Sequence, residues 1–172
     1  MNGSIYEREL SGVLSGNLKV IDKLSKKLDE TSKRVLLSMA DRPFFVSRTA
    51  GSFGADLVAI RSDISLIIEV KSSVNNVLAF SEASGQRQDQ ALRLNDLCSR
   101  AGLFITYAYR LKNAQGDPWK LFAINGQPHG NSRILFDRLP KVGVTKMGNF
   151  QLKWEEGFPL VRFVSYINQK VQ

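Results

Sequence analysis

Three ionisable residues, Asp56, Glu69 and Lys71, lie beside two aliphatic runs in the stretch from Gly51 to Ser73. Charged side chains are rarely left in a buried strand unless another group pairs with them or uses them. Two neighbouring carboxylates are a natural site for a hard cation such as Mg²⁺. An ammonium beside them could position water or stabilise charge on a phosphate. These residue types therefore predict metal-assisted hydrolysis of a phosphodiester.

A β-hairpin is the element that would bring these side chains together. The runs Leu57–Ile60 and Ile64–Ile68 predict two strands, and residues 61–63 predict the turn between them. If the strands pair symmetrically about Ser62 and Asp63, the first carboxylate lies directly opposite the second.

Side chains alternate along a strand, so Lys71 points to the same face as Glu69. The backbone carbonyl of Val70 could add a further metal ligand. The alternatives remain open. Asp56 could cap a turn or a strand end, and Glu69 with Lys71 could be an exposed pair of opposite charges on an edge strand.

The composition describes an ordinary globular chain with a strong basic excess. The 172 residues are 43% hydrophobic and 23% charged, and the net charge is +8 with a pI near 9.8. That charge indicates a polyanionic partner, with nucleic acid first and an anionic membrane second, although solubility alone is the plain alternative. No apolar run is long enough for a membrane span, so no membrane partner is expected.

The cytoplasm is the expected location. The first ten residues lack the pattern of a secretory signal, and the single cysteine excludes an intrachain disulfide and a cysteine-based zinc cluster. Cys98 is expected to be a small core residue. His129, the only histidine, is expected in a surface loop, and a lone histidine argues against zinc nucleases.

The remaining pattern predicts an α/β domain with helices packed on the faces of a sheet. A first helix ends near Gly16, and residues 18–40 form a basic helix or helix pair whose Lys26 and Lys27 either face solvent or contact DNA. The other predicted elements are a strand at 44–48, a polar loop at 75–84, a helix at 86–101, strands at 103–109 and 119–124, short extended pieces at 134–136 and 150–154, and a last helix after Pro159.

In order and spacing these motifs resemble the PD-(D/E)XK, restriction-endonuclease-like nucleases, and more narrowly the archaeal Holliday junction resolvases. The matching segments are Gly3–Leu10, Phe45–Ser52, Asp56–Ala59 and Ile68–Ser72, with the helix from Gln86 to Ala101 and the strand after it. Ala55 stands where the family often has proline, and the segment 18–42 is longer than the family's short connection.

The resemblance implies a restriction-endonuclease-like central mixed β-sheet flanked by helices. It implies one nuclease domain over residues 1–172, with a core at about 1–16 and 42–125, a basic helical insertion at about 17–41 and a loop-rich part at 126–172. It also implies a homodimer that nicks opposing strands of a four-way DNA junction with Mg²⁺, for which Mn²⁺ substitutes. Replication or recombination proteins are the further class of partner that such an enzyme implies.

The family's site residues match particular positions here. The catalytic positions are Glu7, Asp56, Glu69 and Lys71; the metal ligands are Asp56, Glu69, Glu7 and the Val70 carbonyl; and the positions near DNA are Arg8, Arg48 and Ser52. Gln88 or Gln90 matches a helix residue that supports the site. Glu7 has a second reading as the partner of Ser4 in a capping box, and Glu9, the alternative acid, points elsewhere on the helix.

Two rival functions stay open beside the junction resolvase. The first is another nuclease of this fold, acting in repair or restriction. The second is a DNA-binding module that keeps the fold without catalysis, although the intact set of acidic residues and Lys71 speaks against it.

Overall fold

Helices and strands alternate along the chain. The structure is a computed structural model that describes residues 3–49, 55–80 and 85–170. The helices are α1 (Gly3–Leu14), α2 (Leu18–Ser25), α3 (Glu30–Leu37), α4 (Gly85–Arg100), α5 (Gly130–Arg138) and α6 (Leu160–Lys170). The strands are β1 (Phe45–Arg48), β2 (Leu57–Ile60), β3 (Ser65–Ser73), β4 (Val77–Ala79), β5 (Ile105–Leu111), β6 (Trp119–Ala123), β7 (Gly143–Val144), β8 (Phe150–Lys153) and β9 (Phe158–Pro159).

A six-stranded mixed sheet organises the molecule, in the order β1-β2-β3-β5-β6-β9. The first three strands form an antiparallel meander, and α4 lies in the crossover that brings β5 parallel to β3. We call the end of the sheet where β3 and β5 finish, and where β2 and β6 begin, the upper end. The predicted α/β class, a mixed sheet flanked by helices, is confirmed.

The predicted hairpin and its register are also confirmed. Strand β2 pairs with β3 through partners such as Leu57 with Ile68 and Val58 with Ile67. The amide and carbonyl of Arg61 bond to those of Ile64, which leaves a tight connection. The turn is anchored because the Arg61 side chain bonds the Asp63 carboxylate at 2.6 and 2.8 Å.

The same guanidinium ties the turn to distant parts of the chain. It donates to the carbonyl of Arg42 at 2.8 Å and, in α6, to the carbonyl of Ile167 at 3.2 Å and the side chain of Asn168 at 2.9 Å. Its side chain is only 7% exposed. The hairpin turn is therefore tied to the body of the domain through the Arg61 side chain, while Ser62 stays exposed.

The sheet separates two hydrophobic cores, because strand side chains alternate between its faces. One core contains Leu66, Ile68 and Val70 of β3 and packs against α1, α2, α3, α5 and α6. The other contains Tyr107 and Tyr109 of β5 and packs against α4 and the small sheet. Glu69 and Lys71 therefore point to the face that carries the two tyrosines.

The basic segment 17–41 folds as two helices, which is one of the two forms that the sequence predicted, a single helix or a helix pair. Asn17 caps α2 by accepting from the amides of Lys19 and Val20, and Asp29 caps α3 by accepting from Ser32 at 2.9 Å. The turn before α2 needs glycine, since Gly16 has φ +72° and a Cβ there would lie 2.7 Å from the carbonyl oxygen of Met39.

Two expected elements are wrong. The polar stretch 75–84 was expected to be a loop, but it contains β4, which joins β8 and β7 in a separate three-stranded sheet. Residues 134–136 were expected to be extended, but they belong to α5. The reason is tertiary: the helix buries Leu135 and Phe136, and Phe136 packs edge-on against Phe104 at 5.4 Å between ring centroids.

The single cysteine and the lone histidine lie where the sequence placed them. Cys98 is buried in α4, and burial raises the pKa of its thiol to about 11. His129 is exposed in the loop just before α5. Across the residues that the structure describes, no helix is both long and apolar enough to cross a membrane.

Candidate active site

Asp56, Glu69 and Lys71 meet at the upper end of the sheet. Asp56 immediately precedes β2, whereas Glu69 and Lys71 lie near the end of β3. Because β2 and β3 are antiparallel, the start of one strand lies beside the end of the other. The convergence that the sequence predicted is therefore present.

The position of Asp56 differs in detail from the extrapolated register. The regular ladder ends at Leu57, and the Asp56 amide bonds to the carbonyl of Ile68 at 2.9 Å. The Asp56 carboxylate then accepts the amide of Val70 at 2.7 Å. The side chain thus replaces a backbone acceptor and is turned toward β3. Burial raises the pKa of Asp56, against the opposing effects of the Val70 amide and the Lys71 ammonium.

Glu69 has one satisfied and one unsatisfied oxygen. Its Oε1 accepts from the Lys71 ammonium at 2.6 Å. Its Oε2 is buried and has no hydrogen-bond partner among the described residues. Burial raises the pKa of Glu69 to about 7, while Lys71 pulls it down and the Asp56 charge pushes it up. A buried carboxylate oxygen without a partner costs free energy unless something else binds it.

This geometry fits a divalent cation held by two carboxylates. The Glu69 carboxylate, with its unsatisfied Oε2, lies near enough to the Asp56 carboxylate for the Asp56 charge to raise its pKa, and both groups are hard oxygen donors. The Val70 amide points to the β2 side of the strand, so its carbonyl points the same way. Within the described ranges no group of three or more His, Cys, Asp or Glu side chains is placed to hold a metal. Waters or phosphate oxygens would complete such a site.

Glu7 reaches the same end of the sheet from α1, but its carboxylate is paired. Its Oε2 accepts from Arg48 at 2.8 and 3.3 Å, and the Glu7 side chain is 19% exposed. Its negative charge raises the pKa of both Asp56 and Glu69, so it acts on the carboxylate pair electrostatically. Helix α1 begins at Gly3, before Ser4, which does not fit the expected capping box.

Glu9 serves a different part of the molecule, as expected from its helical position. Its carboxylate accepts from Arg110 at 2.7 and 3.3 Å and from the indole of Trp119 at 2.9 Å. Trp119 is fully buried. Glu9 is therefore a structural partner of β5 and β6.

Tyr107 is a neighbour of the site that the sequence reasoning missed. It lies beside Glu69 on the adjacent strand β5, and it is 2% exposed. Burial raises the pKa of Tyr107, and the Glu69 and Asp56 charges raise it further. The sequence does hint at this contact, because a helix between two strands predicts that β3 and β5 pair in parallel. The register of that pairing, which places Tyr107 beside Glu69, cannot be read from the sequence.

The residues expected near DNA differ in exposure and in pairing. Arg8, Lys26 and Lys27 are exposed, and Arg48 is half-exposed while it pairs with Glu7. Ser52 lies outside the described residues. Thr49, which follows β1, bonds the carbonyls of Asp56 and Ala55 through its amide and hydroxyl.

The glutamine expected to support the site does something else. Gln88 donates to the carbonyl of Gly148 at 3.0 Å and accepts the amide of Phe150 at 3.1 Å. It therefore fastens α4 to the β7–β8 hairpin. Gln90 is exposed.

Comparison with known proteins yields a likeness to solved structures. Neither a family model nor a curated protein sequence matches the chain. Among solved structures, the chain is similar to Hjc of Archaeoglobus fulgidus, described as a Holliday junction resolvase from an archaeal hyperthermophile. The identity is 19%, the TM-score is 0.47, and the match covers 77% of this chain and 91% of that one. A likeness at this level identifies neither the family nor the activity of the chain.

Proposed function

We propose that this protein is a metal-dependent DNA endonuclease with a restriction-endonuclease-like fold. The observation that carries the proposal is the buried, unsatisfied Oε2 of Glu69 beside the Asp56 carboxylate, with the Lys71 ammonium 2.6 Å from the other Glu69 oxygen. A net charge of +8 supports a polyanionic substrate.

Each side chain has a distinct task in this proposal. Asp56 and Glu69 hold Mg²⁺ or Mn²⁺, with the Val70 carbonyl as a further donor. The bound cation would lower the pKa of a water and neutralise charge on the phosphate. Lys71 orients the attacking water and stabilises charge on the phosphate oxygens. Glu7 adds negative charge near the pair, and Arg48 holds it in place.

The substrate we propose is a four-way DNA junction, cut as in recombination and repair. Support comes from the sequence resemblance of four segments, namely Gly3–Leu10, Phe45–Ser52, Asp56–Ala59 and Ile68–Ser72, to the archaeal junction resolvases. A two-fold symmetric junction suits a homodimer, which presents two equivalent sites. Phosphate contacts would carry most of the affinity and read little sequence.

A cleavage assay in Mg²⁺ on junction, flap and linear duplex DNA of matched sequence tests the proposal. We expect paired nicks in opposing strands of the junction, and no cleavage by Asp56→Asn or Glu69→Gln, with junction binding retained. Equal cutting of junction and linear duplex DNA would contradict the resolvase assignment and favour a general nuclease of this fold. Junction binding without cleavage by the unaltered protein would favour a non-catalytic module, and full activity in both variants would exclude this site.

A further inference from the structure

A cationic cleft lies between the end of α2 and the connection from β5 to β6. Its volume is about 380 Å³, and its charged lining comprises Lys23, Lys26, Lys27, Arg110, Lys112 and Glu9. The lysines come from segments almost ninety positions apart in the sequence. Tertiary folding, rather than a local run of charge, therefore assembles this cluster.

The four lysines of the cleft have no internal counter-charge. None of their ammonium groups forms an ion pair with a carboxylate of the described residues. The one acidic lining residue, Glu9, is already neutralised by Arg110 at 2.7 Å and also accepts from Trp119. The cleft therefore exposes several uncompensated positive charges in a concave surface, which concentrates anions.

Helix electrostatics explain only part of this arrangement. Lys23 is in the last turn of α2, where a cation complements the helix dipole. Lys112 belongs to the opposite wall and follows β5, so its place in the cleft is not set by the α2 sequence. The wall around Gly116 is also open, because a Cβ at that position would meet no atom within 4 Å. The cleft has both the charge and the room for a phosphate group.

The cleft and the candidate active site lie at the same upper end of the sheet, the cleft on the face that carries α1 and α2, and Glu69 and Lys71 on the opposite face. The amide of Lys112 donates to the carbonyl of Ser73 at 2.9 Å, and Arg110 is in register with Ser72. Ser73 is only two residues beyond Lys71, which is about 6.6 Å along a strand. Helix α1 connects both places, since Glu7 faces the site and Glu9 faces the cleft.

We propose that this cleft binds backbone phosphates of the DNA strand a few nucleotides from the point of cleavage. This inference rests on the proposed function and extends it, because it assigns Lys23 and Lys112 to substrate binding. It also makes α2 one wall of a phosphate site rather than a generally basic face. At a rise of about 3.4 Å per nucleotide, the proposed path takes one strand over the upper end of the sheet from the active site to the cleft.

Binding measurements on Lys23→Gln with Lys112→Gln test the cleft. The matched control is Arg93→Gln with Lys146→Gln, which removes the same charge from exposed residues outside the cleft. Fluorescence anisotropy with a labelled four-way junction is followed over a salt series, with Ca²⁺ in place of Mg²⁺ to keep the DNA intact. Melting temperatures verify that all variants fold.

We expect the cleft variant to bind the junction at least tenfold more weakly at about 0.1 M salt. The slope of log affinity against log salt concentration should become shallower by about two. The control should lose less than threefold. Equal losses of affinity in the cleft and control variants, or no DNA binding by the unaltered protein, would overturn the proposed phosphate-binding role of the cleft. This outcome is separable from the catalytic proposal. If the cleft variant loses affinity but Glu69→Gln still cleaves DNA normally, only the proposed catalytic site is rejected.

Discussion

The side-chain carboxylate of Asp56 accepts the backbone amide of Val70 at 2.7 Å, where the β2–β3 ladder has just ended. This bond fixes the carboxylate next to Glu69 and also satisfies an amide that would otherwise lack a partner. One residue thus closes the hairpin ladder and, in the proposed site, would also supply a ligand oxygen. The structural and chemical roles of Asp56 can be separated by the choice of substitution.

We expect Asp56→Asn to keep the fold and lose cleavage, because the amide oxygen of asparagine can still accept from Val70. Asp56→Ala should lose cleavage and also about 1–3 kcal/mol of unfolding free energy, since the Val70 amide is left unsatisfied. Urea unfolding measures the difference between the two variants. Equal stability of Asn and Ala at this position would show that the bond to Val70 contributes nothing.

The raised pKa of Glu69 predicts an unusual pH dependence for the metal-free protein. The native state keeps the Glu69 proton up to about pH 7, whereas the unfolded chain loses it near pH 4.5. Stability from this group is therefore present at low pH and is lost as pH rises through that window, by roughly 3 kcal/mol. We expect Glu69→Gln, relative to the unaltered protein in chelator, to be more stabilising at pH 8 than at pH 5.

Thermal melting at the two pH values, repeated with excess Mg²⁺, completes this test. The metal should raise the melting temperature of the unaltered protein at pH 8, because it binds only the folded state. Glu69→Gln should show little or no such rise. A rise of the same size in both proteins would place the metal elsewhere.

Glu7 and Glu9 offer a matched pair on one helix. We expect Glu7→Gln to reduce the cleavage rate at least tenfold with little loss of stability, because its charge acts beside the carboxylate pair. Glu9→Gln should instead lose about 1–3 kcal/mol of unfolding free energy, since Arg110 and Trp119 lose a charged partner. Single-turnover cleavage and urea unfolding on both variants measure the contrast. A reversed pattern would move the chemistry to Glu9.

Arg61 should contribute more to stability than an ordinary surface arginine. Its buried guanidinium satisfies Asp63 and reaches α6, so Arg61→Ala should lose about 2–4 kcal/mol. The control is Arg133→Ala, whose exposed pair with Asp137 in α5 is worth less than about 1 kcal/mol. Chemical denaturation compares the two variants. Similar losses of unfolding free energy would show that Arg61 contributes no more than an ordinary surface arginine.

The local parts of this structure were predictable, and the non-local parts were not. The β2–β3 hairpin and its register follow from two short apolar runs and a turn, and α2 and α3 follow from periodic apolar residues. Each of these depends on residues close in sequence. The convergence of Asp56 and Glu69 was predictable for the same reason, although the bond to Val70 was not.

The missed elements depend on distant partners. Strand β4 forms because β8 lies beside it, some seventy residues later. Helix α5 looked extended because three adjacent apolar residues, 134–136, resemble a short strand, and only packing on the main sheet decides for a helix. Tyr107 next to Glu69 requires the parallel register of β3 and β5, which no local pattern encodes.

The anchoring of Arg61 to Ile167 and Asn168 has a consequence for how the protein is made. On the ribosome the two hairpin strands can pair soon after they emerge, and Arg61 can already bond Asp63 and Arg42, but its bonds to Ile167 and Asn168 form only when α6 has been synthesised. A nascent chain that stops before α6 should therefore hold its acidic residues loosely. We expect the proposed cleavage activity to require α6, even though α6 contributes no residue to the candidate site.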